Sequence, residues 1–201
     1  MSNELKVALV DKTYGKLSVA LVGDEKSGKS SIISSLCYKR IDSLYTSTIG
    51  VQFLIRNMYE TKYEIFDLSG SERFSAIVNS YIRNKNVILL CVDLSSIDTI
   101  DSSIDKWMMK INKFSKDSMI VLVGCKSDIK MLDIETTINT KMNKYNNINT
   151  YFEVSAMKND NIENLFKLIK EHYKIQEEKK EKKEKKEKEE ENILCCCCDI
   201  M

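Results

Sequence analysis

The stretch KLSVALVGDEKSGKSS, Lys16 to Ser31, constrains this chain more than any other part of it. A short apolar run rich in β-branched residues stops at Gly23, the pattern of a buried strand. The spacing that follows is G-x-x-x-x-G-K-S, and Lys29 to about Tyr38 reads as a helix. A strand, a Gly-bounded loop and a helix N-terminus in that order make a phosphate cradle, because backbone N–H groups and the helix dipole converge on one point. In such a cradle Lys29 neutralises the β- and γ-oxygens of a nucleotide, the Ser30 hydroxyl ligates Mg²⁺, and Gly28 lets the backbone come close. The candidate phosphate-binding residues are therefore Gly23, Asp24, Glu25, Lys26, Ser27, Gly28, Lys29, Ser30 and Ser31.

The rest of the chain alternates strand and helix signals. Val51–Met58 and Tyr63–Asp67 read as strands joined by a short polar turn. The continuous apolar runs Asn86–Asp93 and Met119–Gly124 suit strands covered on both faces, and Thr150–Ser155 suits another. Helices are predicted over about Thr99–Phe114, Glu135–Asn143 and Ile162–Ile175. This alternation implies an α/β fold with a mostly parallel sheet and helices on both faces, with ligands expected beyond the carboxyl ends of the strands. The chain has no Pro and only six Gly, five of which fall in the loop above or in the strand-end motifs described next.

At 201 residues, 43% hydrophobic, the length fits one domain over 1–175 and a tail over 176–201. The net charge of +1 gives no reason to expect nucleic-acid binding by bulk charge. No stretch approaches the roughly 18–20 apolar residues of a membrane span, and the N-terminus lacks a secretory layout. Cys37, Cys91 and Cys125 are scattered, which favours a reducing, cytosolic compartment.

Four further motifs sit at strand ends: STIGVQF (Ser47–Phe53), DLSGSERF (Asp67–Phe74), VGCKSD (Val123–Asp128) and EVSAM (Glu153–Met157). With the phosphate loop, these resemble the five guanine-nucleotide motifs of Ras-like small GTPases over about Lys16 to Lys174. STIGVQF and ERF are similar to the Rab branch. The resemblance implies a P-loop GTPase (G domain) fold with a six-stranded sheet, binding GTP or GDP with Mg²⁺. It implies that Thr48 meets Mg²⁺ and the γ-phosphate, that Asp67 holds Mg²⁺ through water, and that the Gly70 amide contacts the γ-phosphate. Loss of that phosphate then releases both segments, a two-state switch. It further implies that Asp128 accepts hydrogen bonds from guanine, that Lys126 lies along the base, and that the amides of Ser155 and Ala156 face guanine O6. Phe53, Phe66 and Tyr81 fall where Rab proteins carry a partner-facing aromatic patch, with Phe66 in place of the usual Trp; the plain alternative is three core aromatics. The hairpin from Val51 to Asp67 is a few residues shorter than is usual for a Rab.

The departures concern both chemistry and base. Glu25 and Lys26 stand where the family has small residues, crowding the place of the attacking water. Ser71 stands where the family has the Gln that orients it. Lys29, Thr48, Gly70 and Ser71 are thus the candidate catalytic residues of a GTPase expected to hydrolyse slowly. Cys125 replaces an Asn, Met157 a Lys, and Ile41 an aromatic that packs on the base; each substitution is expected to weaken binding by about 1 kcal/mol. A nucleotide-binding scaffold that does not hydrolyse is the rival reading. A P-loop ATPase or kinase is a more distant one, disfavoured by Asp128 and the pair Ser155–Ala156.

Past about Gln176 the sequence EEKKEKKEKKEKEEEN has no apolar residue. It reads as a solvated tail, although Glu-to-Lys pairs at i,i+4 also suit a charged helical rod. Its charges nearly cancel, so it is not a polybasic membrane patch. The ending Cys198-Asp199-Ile200-Met201 fits a C-a-a-X farnesylation signal. The Rab resemblance implies instead geranylgeranyl groups on Cys197 and Cys198, with Cys195 and Cys196 open to palmitoylation. Two chains anchor a protein stably where one does not. The partners the resemblance implies are effectors, an exchange factor, a GDP-dissociation inhibitor and a prenylation escort protein. The place it implies is the cytosolic face of an intracellular membrane, in exchange with cytosol.

Overall fold

A computed structural model describes residues 15–39 and 47–174 of the chain. Ile41, the Glu/Lys run and Cys195–Cys198 lie outside the described residues. The strands are β1 (Gly15–Val22), β2 (Val51–Met58), β3 (Thr61–Leu68), β4 (Val87–Asp93), β5 (Met119–Cys125) and β6 (Ile148–Val154). The helices are α1 (Lys29–Tyr38), α2 (Ser75–Ile82), α3 (Ile97–Phe114), α4 (Ile134–Lys144) and α5, helical over 162–174. The six strands form one sheet in the order β2-β3-β1-β4-β5-β6. Among the described strands only the β2–β3 pair is antiparallel. The expected P-loop α/β architecture is therefore the observed one.

Side-chain alternation builds the two halves of the core. Leu17, Val19 and Leu21 of β1, with Leu89 and Val121, face α1 and α5, where Ile32, Leu36, Phe166 and Ile169 meet them. Ala20 and Val22, with Ile88, Leu90 and Leu122, face α2, α3 and α4 through Val78, Ile104, Trp107 and Ile138. A strand covered on both sides has no reason to alternate with polar residues, and β4 and β5 are buried almost throughout.

Element ends differ from expectation by one or two residues, and one element was not expected. Helix α2 is only eight residues long and half exposed, so its apolar positions Val78 and Ile82 give little helical period to read. The short hairpin has a simple cause: Tyr59 and Glu60 both take positive φ (50° and 57°), the two-residue turn that matches the twist of paired strands.

Helices α3 and α4 are joined by charge. Lys141 is almost fully buried, with its ammonium 2.8 Å from Asp101 and 2.9 Å from Asp105. Asp105 also accepts from Lys144 (2.9 Å) and from the Tyr145 hydroxyl (2.8 Å). Burial raises the Asp105 pKa, but the hydrogen bonds from Lys141, Lys144 and Tyr145 outweigh it and hold the carboxyl at about 2. A carboxylate depressed in the fold stabilises above its unfolded value near 3.9, and that contribution is lost as pH falls through the folded value. We therefore expect Asp105→Asn to cost about 1 kcal/mol at neutral pH, reduced by solvent screening of a partly exposed site, and little near pH 2. Urea melts of both proteins across that range measure the difference.

Candidate nucleotide site

The parallel strands deliver their carboxyl ends to one edge. β1 is the switch point, because the chain moves to β3 on one side of it and to β4 on the other. The loop after β1 runs over this point. Gly28 takes φ 103° as the residue before α1, and a Cβ there would stand 2.9 Å from the Cys125 Cβ. Glycine is therefore required twice at this position, by the backbone turn and by the thiol-bearing side chain packed beneath it.

Lys29 is turned back under the loop. Its ammonium donates to the carbonyls of Gly23 (2.9 Å) and Asp24 (2.7 Å), and to Ser27 Oγ at 3.4 Å. Burial lowers its pKa, with Asp67 among the groups that oppose the shift. A buried cation held by carbonyl oxygens, rather than by a carboxylate, is suited to receive phosphate charge.

Ser30, Thr48 and Asp67 converge from α1, the segment before β2 and the end of β3. Ser30 Oγ donates to Asp67 Oδ2 at 2.5 Å, Thr48 Oγ1 lies 3.0 Å from Ser30 Oγ, and Thr48 Oγ1 donates to Asp67 Oδ2 at 3.2 Å. Asp67 is fully buried, and its Oδ1 has no hydrogen-bond partner among the described residues. Burial pushes its pKa up against the pull of Ser30, Lys29 and Thr48. Among the described residues no cluster of three His, Cys, Asp or Glu side chains exists to hold a metal. Two hydroxyls and one desolvated carboxylate with a free oxygen are instead the oxygen-only donor set that Mg²⁺ accepts alongside water and phosphate. When bound, such an ion supplies positive charge for the β- and γ-phosphate oxygens.

Gly70 is seated directly on the phosphate loop: a Cβ there would overlap the Glu25 amide nitrogen and the Asp24 carbonyl. The segment after Asp67 is thus in contact with the loop through backbone alone. Ser71 follows, its N–H donating to Ser69 Oγ at 3.2 Å. Glu25 and Lys26 are exposed at the rim, Lys26 at φ 64°.

The base-side residues gather at the ends of β5 and β6. Asp128 Oδ1 accepts from Ser155 Oγ at 2.6 Å, which orients the carboxylate. Lys126 takes φ 61° and its ammonium lies 2.5 Å from Asp93 Oδ2. Ala156 is half-buried and Met157 is 73% exposed. Ser155 departs from expectation. Its amide does not point to an open site, since it donates to the Asp160 carbonyl at 3.2 Å in a small bridge closed by Asp160 N–H to Ser155 O. Ser155 contributes its hydroxyl to Asp128 instead.

The structure also adds residues that spacing alone did not suggest. Asp24 Oδ1 accepts from the Trp107 indole N–H (3.0 Å) and from Lys106 (2.5 Å). Burial raises its pKa, but hydrogen bonds from Lys106, Ser103 and Trp107 lower it further than burial raises it. The phosphate loop is therefore tied to α3. Asp93 holds Lys126 in place; an Asp closing the apolar run of β4 was the available signal for it.

Phe53 and Tyr81 are 51% and 42% exposed, so they are not core aromatics. Phe66 lies between them, with ring centroids 4.9 Å from Phe53 and 5.9 Å from Tyr81. The three form a continuous surface patch across β2, β3 and α2.

A family model described as "Ras family" matches residues 18–175, which takes in the phosphate loop, the Ser30–Thr48–Asp67 cluster, Gly70 and the Asp128–Ser155 pair. With that match over most of its length and this fold beneath it, the chain belongs to the Ras family of small GTPases.

Proposed function

We propose that the protein is a Rab-like switch that cycles between GTP and GDP on the cytosolic face of an intracellular membrane, in vesicle traffic, with slow hydrolysis. The observation that carries the Rab reading is the patch of exposed Phe53 and Tyr81 around half-buried Phe66, with Phe53 and Phe66 on the two strands that lead from Thr48 and toward Gly70, the two residues expected to sense the γ-phosphate. An aromatic surface flanking a nucleotide-sensitive segment suits effectors that read the bound state. STIGVQF and ERF support it. In this reading residues 1–175 form the G domain and 176–201 the tether. Cys197 and Cys198 carry the prenyl groups, installed with an escort protein, and a GDP-dissociation inhibitor and an exchange factor move the protein on and off the membrane. Mass spectrometry of the native protein tests the tether: unmodified thiols at all four terminal cysteines sink it.

A second reading, a guanine-nucleotide scaffold that does not hydrolyse, draws on Glu25, Lys26 and Ser71. Ser71 is too short to hold a water at the γ-phosphate, and Glu25 brings negative charge to the loop rim. In Ras, a positioned Gln and an inserted Arg finger together raise the rate by about 10⁵-fold. We expect single-turnover GTP cleavage slower than about 10⁻⁴ s⁻¹, below the roughly 3–5 × 10⁻⁴ s⁻¹ of intrinsic Ras turnover, with little response to GTPase activators, and a gain of about tenfold or more in Ser71→Gln combined with Glu25→Gly. Fast cleavage by the parent protein rules out the slow-switch reading. No gain in the double variant favours the scaffold.

A further inference from the structure

The edge of the sheet opposite the nucleotide site carries a second feature. At the start of β4 and β5, a cleft of about 360 Å³ is lined by Lys113, Phe114, Lys116 and Asp117 at the end of α3, and by Asn86 and Tyr173. The Arg83 guanidinium stands 5.1 Å from the centre of the Phe114 ring, and the Lys113 ammonium 5.4 Å from it. One aromatic ring thus gathers two like charges that would otherwise separate. Lys116 is exposed beside them, and among the described residues Asp117 is the one carboxylate lining the cleft. Lys85 also lines it, but its ammonium is engaged over the Phe66 ring at 4.0 Å. Two cations held together and a third beside them, facing solvent with a single acid, make a surface that attracts an extended negative charge.

The place of this surface says which negative charge. Asn86 Nδ2 donates to the Tyr173 hydroxyl at 2.7 Å, so the end of α5 is fixed at the cleft. The chain beyond residue 174 leaves from there, and the proposed lipid-bearing cysteines lie on that chain. Residues 176–201 hold seven Lys against nine Asp and Glu, so the tether brings no net positive charge to a bilayer. The two proposed prenyl chains hold the protein at the bilayer, and a basic signal adds electrostatic attraction to anionic lipids.

Building on the membrane reading above, we propose that Arg83, Lys113 and Lys116 form a docking face for anionic lipid headgroups. The folded domain then supplies the basic signal that the tail lacks. The face lies at the opposite end of the strands from the nucleotide, so docking leaves the nucleotide edge turned to the cytosol.

The test uses the full chain produced without lipid modification and loaded with GDP. Its sedimentation is compared on phosphatidylcholine vesicles and on vesicles with about 30% phosphatidylserine, at low salt and at about 0.15 M. The expected result is binding to the anionic vesicles alone, weakened by salt. The triple variant Arg83→Ala, Lys113→Ala, Lys116→Ala is expected to lose about fivefold per removed charge, about a hundredfold in all. A control at the other end of the molecule, Arg73→Ala with Lys158→Ala, is expected to bind as the parent does. Circular dichroism and retained GDP show that each variant is folded. Equal binding to both vesicle types, parent-like binding by the triple variant, or an equal loss in the control overturns the proposal. None of these outcomes bears on whether the native cysteines carry lipid, which mass spectrometry decides separately.

Discussion

Lys29→Met is expected to lower the affinity for GDP and GTP by about 10²- to 10³-fold while leaving the nucleotide-free protein as stable as the parent, or more so. The first half follows from placement. The ammonium is 5% exposed beneath the loop and is held there by carbonyl oxygens of Gly23 and Asp24. Removing one partner of a buried, hydrogen-bonded charge pair typically costs about 3–5 kcal/mol, which sets the expected loss. The second half follows from the direction of its pKa. Burial lowers the Lys29 value, so the fold without nucleotide works against the charged form at neutral pH. The penalty shrinks as pH rises toward the lysine's own range, and Met removes it. Displacement of a fluorescent guanine nucleotide, with thermal melts in the presence and absence of GDP and Mg²⁺, separates the two effects. A variant that melts normally and still shows the parent's GDP-induced rise would show that Lys29 does not face phosphate.

Asp128→Asn is expected to weaken guanine nucleotides by about 10²- to 10⁴-fold and to shift preference toward xanthine nucleotides. Each hydrogen bond to a charged acceptor contributes about 1.5–3 kcal/mol, and Asp128 is expected to accept two, from the ring N–H and the exocyclic amine of guanine. The amide would set a donor against one of those donors. Xanthine carries a carbonyl where guanine carries the amine, so the same amide then finds an acceptor. The fold should tolerate the change, because the oxygen of the introduced amide can still accept the Ser155 hydroxyl that Asp128 accepts at 2.6 Å. Competition between GDP, XDP and ADP for the loaded protein measures the shift. Unchanged preference for GDP would mean that Asp128 does not read the base.

These two residues also show how far the sequence carries. The phosphate loop was legible because its chemistry is local: a strand, two glycines and a helix start within sixteen residues, so the spacing alone brings Lys29 and Ser30 to one point. Thr48, Asp67 and Asp128 were legible through resemblance, Asp67 and Asp128 being acids close to the ends of apolar strands and Thr48 a hydroxyl just before β2. Strands β4 and β5 were evident as unbroken apolar runs. Helix α2 was not, since eight residues with one face on the sheet carry too little period.

What the chain's order could not show was contact between distant segments. That Trp107 and Lys106 of α3 grip Asp24 depends on how α3 lies across the sheet. The Ser155 amide is spent on Asp160 rather than turned to a base, which follows from a turn whose geometry no motif encodes. Phe53 and Tyr81 lie outside the core because β2 is the edge strand and α2 is short, and aromatic residues in an alternating run fit either face until the edge is known. The sequence by itself determined the fold class and which side chains could bind phosphate, because those depend on spacing along one chain. Only the tertiary structure decided which charges are buried, which are paired and which face solvent, because desolvation depends on everything packed around a group and not on its neighbours in sequence.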